Sequence, residues 1–184
     1  MKAFLQGRWL GGPLHPSLVH FPVALIPGAV VFDIISLATG NNTWVKAATI
    51  ALLVGVIGAV LAAITGAAEW ADIPANAPKT RSTANTHAIL NLIAAALAVV
   101  SLILHFVDWN DAKVSILAFL FVLVSFVIVM YSGYLGGKLV YDHHLGVGRD
   151  ESTGHPYLHE NNRAIPEKGS QNVTGGKRQA AMRR

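Results

Sequence analysis

The chain has 184 residues, of which 53% are hydrophobic and only 13% charged, with a formal net charge of +4 and no cysteine. This is too apolar for an ordinary soluble domain and suits a small polytopic membrane protein of one domain. The missing cysteine excludes disulfides, thiolate-bound zinc and cysteine-ligated iron–sulfur clusters within the chain. Most of the positive excess sits in residues 149–184, so membrane topology explains it without a nucleic-acid partner.

Residues 1–15 carry Lys2 and Arg8 but no apolar core, and Gly11-Gly12-Pro13 breaks them up. No cleavable signal peptide is therefore expected; the first long apolar run is expected to stay as an anchor. A bilayer core of about 30 Å needs roughly 20 apolar residues as helix. Four stretches meet this, at about 16–38, 46–70, 84–107 and 114–137, and they are expected to form an all-α integral membrane four-helix bundle over 16–148. In lipid the backbone must satisfy its own polar groups, which selects helices over open strands. The first stretch contains Pro16, which fits a first helical turn, and Pro22 and Pro27, which each remove a backbone hydrogen bond and predict a bend. Gly40-Asn41-Asn42-Thr43 and Asp108-Trp109-Asn110-Asp111 read as short turns, and 71–83 as a longer connection. No internal repeat is evident. Residues 149–184 are polar, Gly-rich and basic, too poor in large apolar groups to fold alone, and read as a disordered tail. His155 and His159 fall there, at a spacing more often bland than metal-binding.

Four spans put both termini and the 71–83 connection on one side, here side A, and the two short turns on side B. Of fourteen Lys and Arg, only Lys46 and Lys113 fall on side B. The positive-inside rule then places side A, and both termini, in the cytoplasm. The expected location is the bacterial cytoplasmic (inner) membrane. Trp9, Trp44, Trp70 and Trp109 lie near the expected interfaces, as an aromatic belt requires.

The candidate site lies at side A, where His15, His20, His87, His143, His144 and Glu69 come together. Titratable groups at a bilayer boundary are costly unless paired, and so they mark sites. His20 and His87, about one turn inside their helices, are candidate axial ligands for a b-type haem. Glu69, Asn91 and His143 would then orient and tune them. His20, Glu69 and His87 could instead hold a metal ion. A third use needs no cofactor: the same side chains hydrogen-bond one another and pin the bundle. Further in, Asp33 is an intramembrane carboxylate with His105, Lys46 and Lys113 as candidate partners. His105 shares the His87 stripe about 27 Å along the helix at 1.5 Å per residue, so it belongs to a different site.

Small and polar residues recur at helical spacing on the second, third and fourth spans, a pattern that lets membrane helices approach closely. On the second they are Gly55, Gly58, Ala59, Ala62, Gly66 and Glu69; the third carries His87, Asn91, Ala94, Ala98, Ser101 and His105. The fourth carries Ala118, Ser125, Ser132 and Gly136, and Gly133 and Gly137 form a G-x-x-x-G pair, weak evidence for a homo-oligomer face.

His15-Pro16-Ser17-Leu18-Val19-His20-Phe21-Pro22 resembles the H-P-x-x-V-H-F-P opening of a bacterial four-helix membrane family catalogued as domain of unknown function 2231. Thr65 to Trp70 resembles its T-G-x-x-D-W segment, His87 and Asn91 its H-x-x-x-N, and Gly136 to Gly148 its closing G-G-x-L-V-Y-x-H-G-V-G-V. Glu69 stands where the family usually has Asp, and His144 where it usually has Gly. The resemblance implies a redox neighbourhood, since relatives occur beside Rieske-type and cytochrome domains; that is analogy at the level of the family. The residues and the resemblance together lead to a redox-associated or haem-binding membrane subunit, with redox or other membrane-complex subunits as partners. The alternative is a non-enzymatic scaffold or assembly subunit with no cofactor. A proton or small-solute carrier using Asp33 and His105 is a third class; four helices without an inverted repeat offer it little.

Overall fold

The computed structural model describes residues 1–7, 9 and 13–145. The expected tail, with His155 and His159, and the last residues of the closing motif lie outside them. Among the described residues there is no strand. The elements are α1 (Lys2–Leu5), α2 (Leu14–Leu18), α3 (His20–Thr39), α4 (Asn42–Trp70), α5 (Pro78–Val107), a 3-10 turn (Asp108–Asn110) and α6 (Ile116–Tyr141). Among the described residues four stretches are long and apolar enough to cross a membrane: Leu14–Thr39, Asn42–Trp70, Pro78–Asn110 and Ile116–Tyr141.

Each boundary that departs from the hydropathy reading has a local cause. The first span is divided at Val19 into α2 and α3. This puts Pro22 in the first turn of α3, where its missing N–H costs nothing, and leaves Pro27 as the interior proline. The ladder resumes when the Val23 N–H donates to the Val19 carbonyl at 3.1 Å. α3 closes on Gly40, whose φ of +65° is left-handed. α4 starts four residues before the apolar run because Asn41 caps it, its side chain accepting from the Thr43 N–H at 2.9 Å. Pro78 opens α5, which shrinks the long connection to 71–77. Ser115 caps α6, accepting from the Ala118 N–H at 3.3 Å. α6 then runs past Gly136 and Gly137 to Tyr141, so Leu139 to Tyr141 are helical.

α3 packs on α4 and α6, and α5 packs on the same two, so α3 and α5 face each other across the bundle axis. The centre is apolar and tight: Ile26, Ala29, Leu52, Ala94, Ala98 and Val122 are at most 1% exposed. The outer faces carry Ile, Leu, Val, Phe and Tyr in contact with what would be lipid.

The burial pattern repeats, although the residues that carry it differ and the sequence shows no internal repeat. α3 buries Pro22, Ile26, Ala29, Val30, Asp33 and Ser36. At an interval of 72 residues, that of Asp33 to His105, stand Ala94, Ala98, Ser101, Leu102, His105 and Asp108, all buried. Ala48, Leu52, Gly55, Ala62 and Thr65 of α4 map at one constant interval onto Ala118, Val122, Ser125, Ser132 and Leu135 of α6, again all buried. The bundle is therefore two helical hairpins in parallel, related by a pseudo-twofold along its axis. Such parallel repeats are one of the two repeat types found in membrane proteins.

Candidate functional site

The pseudo-twofold decides which titratable groups meet. At side A, His15 and His87 occupy equivalent positions and approach across the axis, with ring centroids 6.4 Å apart and planes at 89°. His15 Nδ1 donates to the Ala62 carbonyl of α4 at 2.8 Å. His87 Nδ1 donates to the Ser132 carbonyl of α6 at 2.9 Å. Each ring lies on a glycine one turn further on. A Cβ on Gly66 would come within 2.9 Å of the His15 ring, and one on Gly136 within 3.2 Å of the His87 ring. The glycines thus make the space that the imidazoles fill.

His87 is saturated. With Nδ1 donating, Nε2 is the acceptor, and it receives Asn91 Nδ2 at 3.1 Å. Asn91 also donates to the His87 carbonyl at 2.9 Å, which fixes its amide orientation. Ser132 Oγ donates to that carbonyl at 3.2 Å. The bonds to Ser132 tie α5 to α6 at side A, and those of Asn91 hold the His87 ring within α5.

His20 does not join this site. It is the first residue of α3, exposed, with Nδ1 on the Ser17 carbonyl at 3.2 Å. The five residues from His15 turn it roughly 140° around a helix at 100° per residue, so only one of the two histidines can face the axis. The expected ligand pair His20–His87 is therefore not assembled; His15 stands in the place assigned to His20. The space beside the bend is closed by α3 itself, because Phe21 packs where a Cβ on Gly58 would lie 2.4 Å from its own Cβ.

Glu69 lies by the backbone N–H of His15, and its Oε1 is buried without a hydrogen-bond partner. His143 turns to the start of α5, with Nδ1 at 3.1 Å from Thr80 Oγ and Nε2 at 3.4 Å from Thr83 Oγ. It clamps the end of α6 onto α5 and does not reach His87 through any hydrogen bond. His144 is exposed and adopts φ +52°, a left-handed conformation that glycine takes without strain. Asp72, missed by the sequence reading, accepts from Lys2 and Gln6, and Gln6 also donates to the Ala68 carbonyl at 2.9 Å. α1 is thereby pinned under the end of α4. Trp70 Nε1 donates to Asn85 at 2.7 Å, and the Arg81 guanidinium lies 4.7 Å over the Trp70 ring. Among the described residues no three His, Asp or Glu side chains converge as a metal-binding group.

Towards side B the second axial pair is Asp33 and His105, both wholly buried, with Nε2 and Oδ1 2.9 Å apart. His105, and neither Lys46 nor Lys113, is the partner. Its Nδ1 donates to the Ser101 carbonyl at 2.8 Å. Asp33 Oδ2 is buried without a partner. One turn closer to side B, Ser36 Oγ accepts the Val114 N–H at 3.2 Å and Asp108 Oδ2 accepts the Ser115 N–H at 2.8 Å. These two seal residues 111–115 against the bundle end.

Gly133 and Gly137 have nothing within 4 Å of a Cβ built on either, so the G-x-x-x-G pair takes no part in packing the bundle. No curated protein and no solved structure matches the chain. The model of one family, described as predicted membrane protein (DUF2231), matches residues 11–149. With four apolar spans and that match over most of its length, the chain belongs to this family of membrane proteins.

Proposed function

We propose that this domain is a non-enzymatic membrane subunit, a scaffold or assembly component, whose side A histidines join helices and hold no cofactor. The observation that carries this is the saturation of His87: Ser132 takes its Nδ1–H and Asn91 fills the Nε2 lone pair that a metal would need. The exposure of His20, bonded to the Ser17 carbonyl, supports it. One feature favours a second reading, a b-type haem or other metal on His15 and His87. Both Nδ1–H groups are anchored on backbone carbonyls, as in ligating histidines. That reading requires Asn91 to swing off Nε2, and its partners would be redox subunits.

Oxidised and dithionite-reduced spectra with metal analysis, on protein purified in mild detergent from haem-replete cells, decide between them. The expected sample is colourless and metal-free, and His87→Ala lowers its thermal midpoint while His20→Ala does not. A Soret band that splits on reduction, lost in His15→Ala and His87→Ala, would overturn the scaffold reading.

We also place the domain in the bacterial cytoplasmic membrane with side A inside, on the strength of the Lys and Arg asymmetry. The sequence has no native cysteine, so single-cysteine labelling has no background. Ala75→Cys should react with a membrane-impermeant maleimide only from the cytoplasmic face, and Asp111→Cys only from outside. The reverse pattern would invert the topology.

A further inference from the structure

We propose that Asp33 and His105 form a proton-binding site on the bundle axis, holding one shared proton between Oδ1 and Nε2 and exchanging it with side B alone. The tautomer follows from geometry. The buried Ser101 carbonyl accepts from His105 Nδ1 at 2.8 Å, so Nδ1 carries a hydrogen. Nε2 then faces Oδ1 at 2.9 Å. Without a proton between them, a bare lone pair would face a carboxylate in a site wholly shielded from solvent. With one proton the couple is neutral, whether written as imidazolium and carboxylate or as imidazole and carboxylic acid. Neutrality is what a membrane interior demands of a buried pair. Oδ2, buried and unpartnered, is a second position that an arriving proton can take; the couple is then +1 until the bridging proton leaves, after which it is neutral again with one proton gained and one lost.

The direction of exchange follows from the surroundings. Towards side A the nearby hydroxyls are committed: Ser101 Oγ donates to the Ala118 carbonyl, Thr49 to that of Val45 and Ser125 to that of Ala94. Past them lie Ile26, Leu52 and Ala98, at most 1% exposed. Towards side B stand Ser36, wholly buried, and Asp108, buried but for 7% of its surface. The charged groups around the couple are Asp108 beyond α5, Lys46 of α4, which lies 5.5 Å over the Trp109 ring, and Asp111 and Lys113 in the strap before α6; α6 itself presents none to this end. Val114, 3% exposed, is the plug of that strap.

Histidine-selective 15N labelling of the full chain in detergent micelles reads the site directly. The expected wild-type spectrum has a downfield, slowly exchanging proton coupled to His105 Nε2, absent from Asp33→Asn. Opening the strap with Val114→Ala or Ser36→Ala should speed its exchange into D2O by about tenfold or more, as local opening does. Gln6→Ala, at the opposite end, should leave the rate unchanged. A wild-type Nε2 with no bridging proton overturns the site even if the Asp33 variant fails to fold. Exchange that follows Gln6→Ala, or that neither strap variant alters, overturns access from side B.

Discussion

Asp33→Ala should cost the bundle about 3–5 kcal/mol, the usual penalty for stripping one partner from a buried ion pair. His105 would then keep Nε2 in a fully buried site with nothing to meet it. Asp33→Asn should be far milder, because its amide can donate to Nε2 and the couple stays neutral. The pseudo-twofold adds a sharper expectation. Asp33→His alone opposes two imidazoles, and His105→Asp alone opposes two carboxylates; both should fall well below wild type in thermal unfolding in a single detergent. The double exchange should recover most of the loss. A histidine at 33 would find the Ala29 carbonyl one turn back, where His105 finds that of Ser101, and Ala29 and Ser101 are equivalent buried positions. A double variant no better than the singles would show that the two halves are not interchangeable at this level.

Gly58→Ala should be the most damaging single-methyl addition on α4. Its Cβ would stand 2.4 Å from Phe21 Cβ and 3.2 Å from Pro22 Cδ, both fixed close to the backbone of α3, which must move away. Overpacking of this kind costs about 1–3 kcal/mol. Gly133→Ala and Gly137→Ala have open space, and should gain up to about 1 kcal/mol from helix propensity alone. Thermal midpoints of the three variants in one detergent test the contrast. Equal effects would mean that the α3–α4 contact yields easily.

The four spans were legible because hydropathy over some 20 residues reports the bilayer whatever the local detail. The helix starts were less so. Asn41 and Pro78 are ordinary start signals, but each precedes a polar first turn that hydropathy alone assigns to a loop; Ser115 stands before an apolar turn and lies inside the expected fourth span. The choice between His15 and His20 turned on the break at Val19 and on which face of a short helix meets the axis. Spacing narrows that choice without making it. Glu69 and Asn91 were placed at the right end, and Asp33 with His105 among its candidate partners, because stripe and depth are both readable at 100° per residue. The repeat was hidden because equivalent positions carry different side chains: Ile26 answers to Ala98, Ala29 to Ser101, Asp33 to His105. Only the rhythm of burial is shared, and burial is a property of the fold. The unusual His144 is understood once its φ of +52° is known, since the glycine common in the family suits that turn.

The interval of 72 residues between Asp33 and His105 also sets an order of events at synthesis. The first hairpin is complete once Trp70 has been added, and it contains an acid whose base has not yet been translated. A charged Asp at the centre of a lone span costs about 2.5–3.5 kcal/mol on insertion scales, and Asp33, six residues from the side B end of its span, bears part of that penalty. The nascent hairpin must therefore wait with Asp33 protonated, tilted towards an interface or held by an insertion factor. Only when α5 enters the bilayer does the waiting acid find its partner, and closure of the second hairpin onto the first removes the penalty.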